Sequence, residues 1–149
     1  MLLFGVVFIA AYLYSSLTRF RADPASPLYF GFQATVFAAV GLYFVLCWRR
    51  AGQTLPMKTW KFRLVAADGT RPSLARCWLR YTLAWIGPVA GLAAYKGIVL
   101  AAGFGMARFS AAAALLCLPV LALNFAWALV DRDRQFLHDR MAGTRLVVR

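Results

Sequence analysis

Residues 28–48 read LYFGFQATVFAAVGLYFVLCW without one charged side chain, and the run stops on Arg49-Arg50. A helix of about 20 apolar residues is what a hydrocarbon core of roughly 30 Å demands. Working outward, three more apolar runs occupy residues 1–17, 81–107 and 110–130. Each approaches or exceeds spanning length, and the charge lies between or after them. The expected fold is therefore an all-α membrane protein. It has four transmembrane helices, a small cytoplasmic pairing of two strands and an interfacial amphipathic helix.

Composition narrows the class further. The chain has 149 residues, 62% of them hydrophobic, which leaves room for one membrane domain and no separate soluble one. The formal charge is +12. In a soluble protein that charge would suggest nucleic acid; beside spanning runs it reads as basic loops at a membrane face, so no nucleic-acid partner is expected. Glu is absent, and the acids are Asp23, Asp68, Asp131, Asp133 and Asp139, none inside an apolar run. Cys47, Cys77 and Cys117 have no CxxC spacing, and His138 is the single histidine. No disulfide framework, metal site or cofactor follows from that set. One histidine, no Glu and no nucleophile–base order also argue against an enzyme.

Charge sets the orientation. Residues 49–80 carry Arg49, Arg50, Lys58, Lys61, Arg63, Arg71, Arg76 and Arg80 against Asp68. Residues 131–149 carry Arg132, Arg134, Arg140, Arg145 and Arg149 against three aspartates. The other connections hold only Arg19, Arg21 and Arg108. The positive-inside rule puts the loop 49–80 and the tail 131–149 in the cytoplasm, with both termini inside. Anionic lipid head groups are the natural partners of such a face, at about 1 kcal/mol per basic residue.

Two runs carry irregularities. Residues 81–107 contain Gly87, Pro88 and Gly91 early and Lys96 past the middle. The proline predicts a kink. Lys96 sits about 22 Å along a helix from Tyr81. Three readings stay open for it: snorkelling to the outer interface, lining a substrate path, or preceding a re-entrant segment at 97–107. Residues 1–17 start without a charged flank and reach only about 25 Å as helix. The expectation is that the native chain begins upstream of Met1. Asn124, inside the fourth run, reads as helix–helix glue.

The loop and tail have their own patterns. Trp60, Phe62 and Leu64 alternate with Lys61 and Arg63, predicting a short strand that the Asp68-Gly69 turn closes. Residues 144–148 follow Gly143 and offer a matching strand. Either the two pair against the membrane face or they remain separate extended segments. Leu74, Cys77, Trp78 and Tyr81 fall at helical spacing, predicting an interfacial helix whose Arg76 and Arg80 meet lipid head groups. In the tail, Asp131, Asp133, Asp139 and Arg140 form alternating charges beside His138. They read as a solvated ion-pair network in which Asp139 and Arg140 bridge to loop arginines, or as a cytoplasmic gate.

These pieces, in this order, resemble the RDD family of small bacterial membrane proteins. The likeness rests on Gly52-Gln53-Thr54-Leu55, Trp60-Lys61-Phe62-Arg63-Leu64-Val65, Asp68-Gly69 and Arg80-Tyr81, then on Asp131-Arg132-Asp133-Arg134-Gln135 and Leu137-His138-Asp139-Arg140-Met141-Ala142-Gly143-Thr144-Arg145-Leu146-Val147. Pro56 departs from the glycine usual after Thr-Leu. No residue matches the family's Arg before the first span or its first Asp, while Asp139 resembles the remaining named aspartate. The resemblance implies a bacterial inner-membrane protein that transports small ions or solutes, or assists such transport. A rival reading from the residues is a structural or interaction protein whose basic face binds anionic lipid or a protein. Four helices enclose hardly any pore alone, so a homo-oligomer or a partner membrane protein is expected.

Overall fold

Gly52 ends the longest described helix of the computed structural model, which describes residues 2–19, 26–101 and 122–148. Helix α1 (Leu2–Thr18) packs on α2 (Leu28–Ala51). Gly52 adopts φ 69°, a left-handed conformation that a side chain resists, and its N–H closes the helix on the Trp48 carbonyl. The short α3 (Leu55–Thr59) follows, with Pro56 in its first turn where a missing N–H costs nothing. Among the described residues, one helical segment, Leu28–Thr59, is long and apolar enough to cross a membrane, and α1 is a shorter apolar helix. Only 17% of the segment's apolar window is buried by the protein itself. The core helix of a soluble protein would be mostly covered.

Strand β1 (Phe62–Ala66) pairs antiparallel with β2 (Thr144–Val148), with Leu64 opposite Leu146 and Ala66 opposite Thr144. The pairing of loop and tail is as the alternation predicts. The face differs at its start. Trp60 belongs to the exit turn of α3 and is 73% exposed, so the buried parity begins effectively at Leu64 and Ala66. The β1 exit is held by Asp68 Oδ1, which accepts from Thr70 N at 2.9 Å and Thr70 Oγ1 at 2.6 Å, with Gly69 at φ 82°.

Helix α4 (Leu74–Ala84) begins at Ser73, whose Oγ accepts from Arg76 N at 3.2 Å. It buries Cys77, Arg80 and Tyr81. The apolar core sits where α4 meets the end of α2 and β1: Val45, Trp48, Leu64, Cys77 and Tyr81. Gly41 allows that approach, since a Cβ there would lie 2.5 Å from Trp78 Cζ3 and 2.8 Å from Tyr81 Cε1. Tyr81 donates its hydroxyl to the Phe37 carbonyl at 2.9 Å, fixing α4 along α2.

The run over 81–107 carries the disturbance that its proline predicts. Helix α4 ends at Trp85, and α5 (Ile86–Ala101) starts directly after it. Pro88 is the cause: it has no N–H to give four residues back, and the interruption is confined to Trp85, which stays right-handed helical and accepts from Val89 N at 2.9 Å. Helix α6 (Leu123–Val130) is the described end of the fourth run; of the re-entrant segment weighed at 97–107, residues 97–101 are the end of α5, while 102–107, like 110–121, lie outside the described residues. The chain closes with α7 (Leu137–Ala142), which packs on α4 and on α6 and leads through Gly143, at φ 62°, into β2.

Candidate functional site

Asp139 is carried on the first turn of α7 and is 1% exposed. An isolated carboxylate so placed would be prohibitively costly, and α4 supplies its partner. Arg80 Nε donates to Asp139 Oδ1, and Arg80 Nη2 donates to Oδ2 at 3.3 Å. This two-pronged pair suits the planar guanidinium fork. Thr144, the first residue of β2, donates its hydroxyl to Asp139 Oδ1 at 3.1 Å. The Arg80 guanidinium carbon lies 4.5 Å from the centroid of the Trp48 ring, adding a cation–π contact from α2. Four elements, α2, α4, α7 and β2, thus converge on one buried Arg–Asp pair.

Arg80 therefore does not face lipid as the helical spacing suggests; it is 8% exposed and turned into the protein. The tail is pinned to the loop through Asp139, but by a buried pair and not a solvated one. Arg140 takes the other role. Its Nη1 lies 3.2 Å from Asp131 Oδ1 and 3.0 Å from Asp133 Oδ2, within the tail itself, and it makes no bridge to the loop arginines. Asp131 Oδ2 also accepts from Asp133 N and Gln135 N at 3.3 and 3.1 Å, so it shapes the turn after α6. The Arg140–Asp133 arm is exposed and worth little in stability, whereas the Asp131 side chain is largely covered.

His138 lies beside the pair, its Nε2 3.7 Å from Asp139 Oδ2, and its ring stacks on Phe136 at 5.6 Å. Burial pushes its pKa below the ordinary imidazole value; Asp139 pulls upward and Arg80 pushes down again. The net result is a neutral ring at neutral pH. Its Nδ1 and the Trp48 Nε1 are buried and have no hydrogen-bond partner among the described residues. Burial likewise pushes the Cys77 thiol up, against the opposing pull of Arg49 and Arg80. Cys77 is a packing residue, as its apolar setting suggests.

Lys96 is exposed on α5. Asn124 belongs to α6, and the contact expected of its side chain lies outside the described residues. Sequence reasoning missed Trp48, Thr144 and Gln53. The last is buried and donates Nε2 to the Phe62 carbonyl at 2.7 Å, tying the α2 exit to β1. Its place in Gly52-Gln53-Thr54 was the available signal. Among the described residues no group of His, Cys, Asp or Glu could hold a metal ion.

A long apolar helix with its surface uncovered, joined to a basic platform that a buried Arg–Asp pair locks shut, defines a small membrane-associated helical protein. The RDD family model matches residues 1–143, and the chain belongs to the RDD family. No curated protein and no solved structure matches the chain.

Proposed function

We propose that the protein is a non-enzymatic, multi-pass protein of a bacterial inner membrane that works within an assembly, with its own copies or a partner membrane protein. Both termini and the 49–80 and 131–149 segments are cytoplasmic, and the basic face they form rests on anionic lipid. One observation carries this reading: β1 pairs with β2 while Arg80 pairs with Asp139, so loop and tail share one side of any membrane. Most of the basic residues lie in those two segments. The lock also speaks for a scaffold, since Asp139 has its oxygens engaged by Arg80 and Thr144 and is not free to carry a cation.

Transport of small ions or solutes is the second reading. It is favoured by the position of the Arg80–Asp139–His138 group, which couples the tail to α4 and so to α5 above it. Flux separates the two. Purified protein in liposomes holding sodium, potassium and proton gradients should leave them intact if it is a scaffold. Dissipation that Asp139→Asn abolishes, in a variant that still elutes as a folded species, would establish transport.

A further inference from the structure

A cavity of about 420 Å³ opens where α2 ends, lined by Val45, Leu46, Arg49, Arg50, Arg71 and Leu74. Its character changes across its width, from aliphatic side chains to three guanidinium groups. Those charges have no carboxylate partner among the described residues. Asp139 is taken by Arg80, Asp131 and Asp133 by Arg140, and Asp68 by Thr70. Arg49 is held in place, its Nη1 donating to the carbonyl of the buried Pro72 at 3.3 Å, next in sequence to Arg71. The dipole at the α2 C-terminus accounts for cations at Arg49 and Arg50. It does not account for Arg71, which arrives from the loop and adds a third positive charge to the same mouth.

We propose that this cavity is a binding site for one anionic phospholipid. Its phosphate lies among the guanidinium groups of Arg49, Arg50 and Arg71, and the first methylenes of its acyl chains lie on Leu46 and Leu74, the exposed aliphatic side chains of the lining. Arginine forks suit phosphate oxygens and lose little on desolvation. Leu74 is the first residue of α4, so the positive end of that helix is at the same mouth. The aliphatic wall is what selects a lipid over free phosphate. It continues the exposed apolar surface of α2 at Leu42 and Leu46, along which acyl chains would run. Arg50 also lines a neighbouring cavity of about 300 Å³ with Lys58 and Leu2, so basic and apolar groups meet on both sides of this helix end.

The proposal rests on the reading of the basic face as a lipid-binding surface, and the test separates the two. The full chain in detergent is titrated with phosphatidylglycerol or phosphatidylcholine, and bound lipid is counted by native mass spectrometry. Retention of one phosphatidylglycerol in preference to phosphatidylcholine is expected. Each basic residue at an anionic surface contributes roughly a fivefold factor, so R49Q/R50Q/R71Q should weaken that binding on the order of a hundredfold. An equally charge-reduced control, K61Q/R132Q/R134Q, should change it less than about threefold. Circular dichroism and gel filtration confirm that both variants fold. Leu74→Asn should weaken lipid retention while leaving the three arginines in place. Equal losses in the two triple variants would overturn the site and leave a diffuse basic face. Absence of any preference for phosphatidylglycerol would overturn both. Displacement of the lipid by excess inorganic phosphate, with no effect of Leu74→Asn, would make the site a phosphate site and overturn the lipid.

Discussion

Asp139 holds its charge in a nearly closed setting because Arg80 answers it, and the two cannot be removed separately without cost. Arg80→Ala or Asp139→Ala alone leaves a buried charge unpaired, and each should destabilise the protein by about 3–5 kcal/mol. Replacing both by Met and Leu should cost much less than the sum, because the desolvation penalty leaves with the charges. Thermal unfolding of the three variants in detergent checks this. His138 gives the same region a pH dependence. Its folded pKa is depressed by burial, so the fold favours the neutral ring. The stability it contributes is full above about pH 6.5 and falls as the pH drops through that value toward the lowered folded pKa. The wild-type melting temperature should therefore fall between pH 7 and 5 by more than that of His138→Gln. Equal slopes would show that His138 is not held neutral. By sequence Arg80 is one loop cation among many. Its burial depends on a carboxylate 59 positions away, and no local pattern encodes that.

Helix α2 and helix α4 approach so closely at Gly41 that only hydrogen fits between them. Gly41→Leu must push Trp78 and Tyr81 aside, break the Tyr81–Phe37 hydrogen bond and loosen the core, at a cost of several kcal/mol. The fluorescence of the clustered tryptophans should shift with the loss of packing. Gly52→Ala fails for two reasons, its φ of 69° and a Cβ that would meet Arg63 Cγ at 2.9 Å; a loss of at least about 1–2 kcal/mol follows. At this scale the strand pair was legible, because alternation around Leu64 and the Gly143 punctuation are local signals. Trp60 misled because it keeps the parity of the strand, yet α3 starts only five positions earlier at Leu55 and its exit turn claims Trp60. The break at Trp85 was illegible from hydropathy, which stays high across it. Pro88 signalled the disturbance, which falls three residues earlier at Trp85.

For the molecule as a whole, the two-stranded sheet and the Arg80–Asp139 pair impose a parity on the chain. Residues 62–66 and 144–148 share one surface, so any crossings between them must be even in number. In the proposed orientation this surface is the cytoplasmic one, as the positive-inside rule predicts from the charge distribution. Ala67 at the β1 exit and Met141 on α7 are both exposed, so cysteine placed at either site meets reagent whenever the reagent reaches that side. The measurement is labelling of Ala67→Cys and Met141→Cys, one at a time and with the native cysteines replaced, by a membrane-impermeant maleimide on intact cells. Both positions should be protected in intact cells and labelled together once the membrane is opened. Strong labelling of Ala67→Cys from outside would reverse the orientation, and labelling of one site without the other would contradict the shared platform itself.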